Sequence, residues 1–263
     1  MGIVNVTPDS FSDGGRYEST EKAVEHALQL VEEGADILDI GGESTRPGAT
    51  PVTLEEELRR VIPVIEKLSA VAGVPLSIDT YKPEVMRAAI AAGADIVNDV
   101  RALQEPGALE IVAASNAGVC LMHMRGTPQT MQIDPQYQDV VAEVKTFLAE
   151  RMQAANAVGI ANERIVLDPG FGFGKRTIHN IALLQQLQAI SGLGRPLLVG
   201  LSRKSVLGQI VGGDVYVRLH ASIAASVISA MKGARIVRVH DVKATADALK
   251  VVSAVLADNA LLY

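Results

Sequence analysis

The chain has 263 residues, 24 Lys and Arg against 30 Asp and Glu, a formal net charge of −6 and 48% hydrophobic residues. A chain of this length buries a full core, and its apolar content excludes a disordered protein. The acidic balance argues against a general nucleic-acid binder, which needs a basic stripe.

The N-terminus has no basic leader and turns polar by Asn5-Val6-Thr7. No stretch reaches the roughly 18 uninterrupted apolar residues of a membrane helix. A soluble, cytoplasmic protein with no membrane partner is expected. The single Cys120 allows no internal disulfide, fits a reducing compartment and reads as a core thiol.

In chain order, a strand is expected over 2–6, then a long polar loop over 7–19 and an amphipathic helix over 20–33. A second strand, 36–41, leads to another polar loop, 42–51, and a helix over 53–71 opened by a Thr53-x-x-Glu56 capping box. Both loops carry Gly, Pro, Ser and Asp and are candidate lids. Strands follow at 76–79, 95–100, 119–124, 164–168, 197–201 and 235–240, with a long helix over 135–158.

One phrase recurs. Gly34-Ala35-Asp36-Ile37 is echoed by Gly93-Ala94-Asp95-Ile96 and by Gly233-Ala234-Arg235-Ile236. Each copy ends a helical pattern at a glycine and enters a strand, the joint of an α/β repeat. Apolar strands alternating with helices imply a parallel sheet buried on both faces. Eight such units in one linker-free domain, 1–263, imply a (β/α)8 TIM barrel, with a doubly wound open sheet as the alternative.

A barrel site forms at the C-terminal strand ends, and the polar residues gather there. Asn5, Asp39, Asp79, Asn98, Asp99, His123, Asp168, Ser202, Lys204, Arg238 and His240 end or follow otherwise apolar strands. Residues two apart share a strand face, so Ile236, Arg238 and His240 point one way. Asn5, Ser44, Thr45, Arg46, Arg238 and His240 make a donor-rich cationic corner suited to phosphate or diphosphate. Asp79, Asn98 and Asp168 are acceptors for a planar, nitrogen-rich ring, and Lys204 can donate to a carbonyl on its far edge. The run Asp168-Pro169-Gly170-Phe171-Gly172-Phe173-Gly174-Lys175 matches no nucleotide-loop pattern and reads as a tight turn setting Phe173 against a flat ligand. The five histidines lack metal-ligand spacing, but Mg²⁺ could enter with a diphosphate.

These residues resemble the dihydropteroate synthase family. The resemblance rests on residues 5–15 (Asn5 to Gly15), residues 41–48 (Gly41-Gly42-Glu43-Ser44-Thr45-Arg46-Pro47-Gly48), residues 168–175, and Ser202-Arg203-Lys204-Ser205. Ser77-Ile78-Asp79-Thr80, Asn98-Asp99 and Arg238-Val239-His240-Asp241 support it. The resemblance implies condensation of a 6-hydroxymethyl-dihydropterin diphosphate with p-aminobenzoate, releasing diphosphate. It implies that Asp79, Asn98, Asp168 and Lys204 hold the pterin, with Met122, Phe173 and Gly200 lining the pocket and Arg238 against the ring. By the same resemblance Asn5 holds Mg²⁺, and Thr45, Arg46, Arg238 and His240 bind the diphosphate. Phe11, Pro47, Ser202 and Lys204 shape the p-aminobenzoate pocket, which sulfonamides would enter. A homodimer packed through the later helices is also implied. Family members usually carry a short segment before the first strand that caps the barrel bottom; here the chain starts almost on the strand, so the expected cost falls on stability at the bottom face and not on the chemistry at the top.

Three rival readings stand beside this one. A folate-dependent methyltransferase barrel would share the pterin grip but needs no diphosphate corner. A non-catalytic pterin-binding paralogue would keep the pocket and lose turnover. A Schiff-base aldolase would use Lys204.

Overall fold

The computed structural model describes residues 1–6, 16–46, 48–212 and 218–257. Its strands are β1 (Gly2–Asn5), β2 (Leu38–Gly41), β3 (Leu76–Asp79), β4 (Ile96–Asp99), β5 (Gly118–Met122), β6 (Ile165–Asp168), β7 (Leu197–Val199) and β8 (Ala234–Val237). They pair in parallel in sequence order. Ile3 N donates to Val239 O at 3.1 Å and Val239 N to Met1 O at 3.0 Å, which joins the last strand to the first. That closure gives the expected (β/α)8 barrel and excludes the open sheet.

The helices between them are α1 (Arg16–Glu32), α2 (Leu54–Val71), α3 (Pro83–Ala92), α4 (Ala108–Ala113), α5 (Val140–Ala157), α6 (Thr177–Gln185), α7 (Leu187–Ser191), α8 (Ser205–Val211), α9 (Leu219–Met231) and α10 (Val242–Leu256). The joint glycines behave as the repeated phrase demands: Gly34, Gly93 and Gly233 take φ of +101°, +111° and +100°. At Gly93 a side chain would also lie 2.7 Å from Ser69 Cβ.

Some boundaries differ from expectation for local reasons. Only half of the capping box forms. Thr53 Oγ1 accepts from Glu56 N at 3.3 Å, but the Glu56 carboxylate turns outward to Arg59 and Arg60. The helix expected over 135–158 starts at Val140, because Asp139 Oδ1 caps it by accepting from Val141 N and Ala142 N. The first helix starts earlier, at Arg16.

Strand alternation sorts the side chains into two environments. Val4, Leu38, Ile40, Leu76, Ile78, Val97, Val119, Leu121, Leu167 and Val199 face outward into the main core beneath the helices. Met1, Cys120 and Leu198, with Ile37, Val166 and Ile236, form a separate small cluster inside the barrel. Above that plug the interior turns polar, and the site begins there.

Candidate active site

Asp39 lies at the floor of the polar layer and is fully buried. Its Oδ2 accepts from Arg238 Nε at 2.5 Å and from Asn98 Nδ2 at 3.1 Å, while Oδ1 has no hydrogen-bond partner. Arg238 Nη2 donates to Asp79 Oδ2 at 2.7 Å. The guanidinium therefore bridges two strands across the barrel. Burial works against its charge, but Asp39 and Asp79 outweigh burial and raise its pKa. The anion corner is thus less cationic than its composition suggests, because Arg238 is already matched by two interior carboxylates.

Asp79 shows the other side of that pairing. Burial drives its pKa up, Arg238 opposes and Asp39 reinforces, and the result is about 7. Asn98 spends an amide N–H on Asp39, which orients the side chain and leaves its oxygen as an acceptor.

The loop after β6 supplies a second group. Asp168 Oδ1 accepts from Gly170 N at 2.7 Å, and burial raises the carboxyl against the pull of Lys204. Lys204 Nζ donates to Phe171 O at 2.5 Å and stands 4.6 Å from the centroid of the Phe173 ring. Burial lowers its pKa to about 8, with Asp168 opposing. Phe173 therefore sits beside Lys204, at the face the sequence assigned to a flat ligand. Gly200 lies between these cations: a side chain there would stand 3.8 Å from both Lys204 Nζ and Arg238 Cβ, at ordinary contact distance. Met122 is buried and pairs in register with Asp168.

A third group joins β7 and β8. Ser202 Oγ lies 3.0 Å from His240 Nδ1 and accepts from His240 N at 3.2 Å. Burial, with nearby Arg203 and Arg238, lowers the His240 pKa to about 4, so the imidazole is neutral at pH 7. Arg46 also lies within electrostatic reach of that ring. Arg46 is exposed, while Thr45 and Asn5 are half-buried. Phe11 and Pro47 lie outside the described residues.

Two residues counted at the strand ends face elsewhere. Asp99 accepts from Arg101 N and Leu103 N, both at 2.7 Å, and so shapes a turn outside the barrel interior. His123 is buried beside Lys175, with Nδ1 2.9 Å from Lys175 Nζ, and burial lowers its pKa to about 2. Lys175 itself gave no separate signal in the sequence. Its buried Nζ also donates to Gly170 O at 2.9 Å and Phe173 O at 3.0 Å, pinning the loop that carries Phe171 and Phe173. Only contact between two distant loops reveals that role.

Among the described residues, no three His, Cys, Asp or Glu side chains group to hold a metal. The donor set instead offers Asn5, whose side chain hydrogen bonds to no other described residue. A neutral amide oxygen suits a hard cation that keeps its waters and takes its remaining ligands from a bound diphosphate.

The profile of the family described as "Pterin binding enzyme" matches residues 1–240. The dihydropteroate synthase of Escherichia coli (strain K12) is 54% identical over 256 residues, spanning 97% of this chain and 91% of that protein. The Xanthomonas albilineans dihydropteroate synthase, solved with 4-aminobenzoic acid, superposes with a TM-score of 0.93 at 58% identity, covering 98% of this chain and 93% of that one. The Yersinia pestis dihydropteroate synthase, solved as a sulfonamide drug complex, gives a TM-score of 0.92 at 49% identity, covering 97% and 93%. With a barrel whose interior acceptors face two cations at the strand ends, and with similarity of this extent, the chain belongs to the dihydropteroate synthase family of pterin binding enzymes.

Proposed function

We propose that the chain joins the methylene carbon of 6-hydroxymethyl-7,8-dihydropterin diphosphate to the amine of p-aminobenzoate, giving 7,8-dihydropteroate and diphosphate. The observation that carries this reading is the interior juxtaposition of Asp79, Asn98 and Asp168 with Lys204 and Arg238. Acceptors for ring N–H groups and a donor for a ring carbonyl are thereby gathered at one end of the barrel, the set a pterin edge requires. Asn98 oxygen and the Asp79 and Asp168 carboxylates accept from the ring N–H groups. Lys204 donates to the ring carbonyl, and Phe173, Met122 and Gly200 bound the faces of the ring. Arg238 packs against the ring and, with Thr45, Arg46 and His240, receives the diphosphate.

The C–O bond to the leaving group breaks with its electron pair going to diphosphate, and the positive charge spreads into the pterin ring. Asp79 and Asp168 balance that charge from within the barrel, where a carboxylate acts far more strongly than in water. The amine lone pair of p-aminobenzoate then forms the C–N bond and the nitrogen sheds a proton. Phe11, Pro47, Ser202 and Lys204 are assigned to the p-aminobenzoate pocket. Mg²⁺, held through Asn5, would neutralise charge on the departing diphosphate.

The assembly is read as a homodimer. Ile178 on α6, Ile210 on α8, Ile228 and Met231 on α9 and Val255 on α10 are exposed apolar side chains on helices that adjoin one another, and a second copy would cover them. No helix among the described residues is long and apolar enough to cross a membrane, and the free Cys120 is buried, which fits a cytoplasmic enzyme.

The deciding experiment follows diphosphate release with and without p-aminobenzoate and Mg²⁺. Release coupled to dihydropteroate formation and dependent on the cation supports the reading. Tight pterin binding without release would assign a non-catalytic paralogue.

A further inference from the structure

The loop after β2 carries Thr45 and Arg46, and its root is held by charged residues that the chemistry above does not use. Lys82, the residue before α3, ion-pairs with the Glu43 carboxylate and with Glu57 Oε2, the latter at 2.5 Å. Tyr81 hydroxyl donates to Glu43 Oε1 at 3.1 Å, and Arg60 Nη1 donates to Gly42 O at 2.8 Å. The side chains of Lys82, Glu43 and Glu57 are only 16%, 7% and 1% exposed. Glu57 Oε1 is buried without a hydrogen-bond partner.

Three charges taken from water are a poor way to add stability, since apolar side chains of equal volume often do as well or better. What a charged trio adds is one geometry. Here it ties three pieces of chain together: the loop after β2 at Glu43, the helix α2 at Glu57, and the start of α3 at Lys82. Asp79, three residues before Lys82, needs no such anchor, because the ladder holds it against Gly41 and Asn98. Thr45 and Arg46 have no ladder to hold them.

We infer that Lys82 is a positioning residue for the diphosphate end of the site: by seating Glu43 against Glu57, it sets where Thr45 and Arg46 stand. The inference rests on the proposed synthase reading. It separates the two ends of one substrate. Loss of Lys82 disturbs the recognition of diphosphate and leaves that of the pterin ring intact.

The test compares two ligands by titration calorimetry, 6-hydroxymethyl-dihydropterin diphosphate and the same pterin without diphosphate, on wild type, on Lys82→Met and on the triple variant Lys82→Met/Glu43→Gln/Glu57→Gln. The triple variant leaves no unpaired buried charge and carries the comparison if the single variant does not fold. The inference expects about 10- to 100-fold weaker binding of the diphosphate ligand in both variants, the scale of a displaced binding group. The pterin alone should bind within twofold of wild type, and turnover should fall through KM rather than kcat. Equal weakening of both ligands, or of neither, overturns the inference. So does a triple variant with restored diphosphate affinity, since the unpaired charges would then be the cause. A wild type that does not distinguish the two ligands overturns the synthase reading and the inference with it.

Discussion

Arg238 and Asp79 meet at 2.7 Å between β8 and β3, and Arg238 simultaneously holds the fully buried Asp39 at 2.5 Å. The guanidinium that should meet an anionic substrate is therefore engaged with carboxylates before substrate arrives. Breaking a buried pair costs ~3–5 kcal/mol when the survivor is left charged and unpartnered. Arg238 keeps Asp79 when Asp39 is removed, so we expect Asp39→Ala to lower the urea unfolding free energy by less than that full penalty. An Asp39→Ala protein as stable as wild type would show that Asp79 alone compensates the guanidinium.

The pH profile should reflect the two perturbed groups. Burial brings the Asp79 carboxyl up to about 7, so its ionised, accepting form accumulates as pH rises through that value. Burial brings the Lys204 ammonium down to about 8, so its donating form is lost as pH rises further. The kcat/KM of the free enzyme should rise through about 7 and fall above about 8. Lys204→Gln should lose about 10²-fold in kcat/KM, the scale of a lost positioning contact to the ring, and should lack the alkaline limb. A variant that keeps that limb would remove Lys204 from the assignment.

His240 is neutral in the free enzyme because its pKa is depressed to about 4 by burial and neighbouring arginines. An anion placed against it favours the protonated ring, so diphosphate binding at pH 5–6 should take up a proton. Calorimetry in two buffers of different ionisation enthalpy reads that uptake directly. It should vanish in His240→Gln, and identical apparent enthalpies for wild type in both buffers would count against the contact.

The loop after β6 tolerates little change. Gly170 has φ of +69°, and a side chain there would lie 1.8 Å from His123 O. Gly170→Ala should therefore fail to reach the native fold or melt far below wild type. Lys175→Met would strip one donor from Gly170 O, which keeps Phe173 N, and the donor from the half-buried Phe173 O, and should cost ~1–3 kcal/mol in all. Thermal melts of both variants check this, and an unchanged Lys175→Met would mean that water replaces the ammonium.

Sulfamethoxazole should inhibit turnover in competition with p-aminobenzoate. Steady-state assays at rising drug concentration decide it: turnover unaffected at saturation would contradict the placement of p-aminobenzoate between Phe11, Pro47, Ser202 and Lys204.

The amino-acid sequence by itself determined the architecture and most of the polar residues that line the barrel interior, although it also counted Asp99 and His123, which face elsewhere. Periodicity marks each strand, and the glycines of the repeated phrase mark the joints, because these depend on local backbone sterics and on which face is apolar. The same alternation places Asp39, Asp79, Asn98, Asp168 and Arg238 inside the barrel. The partners of those residues were decided only by the tertiary structure. Arg238 is 199 positions from Asp39, and Lys175 is 52 from His123, distances along the chain over which no periodicity carries information. Protonation states follow the same division. A carboxylate, an imidazole or an ammonium is read from its letter, but its pKa depends on how much water the closed barrel removes and which charge it brings opposite.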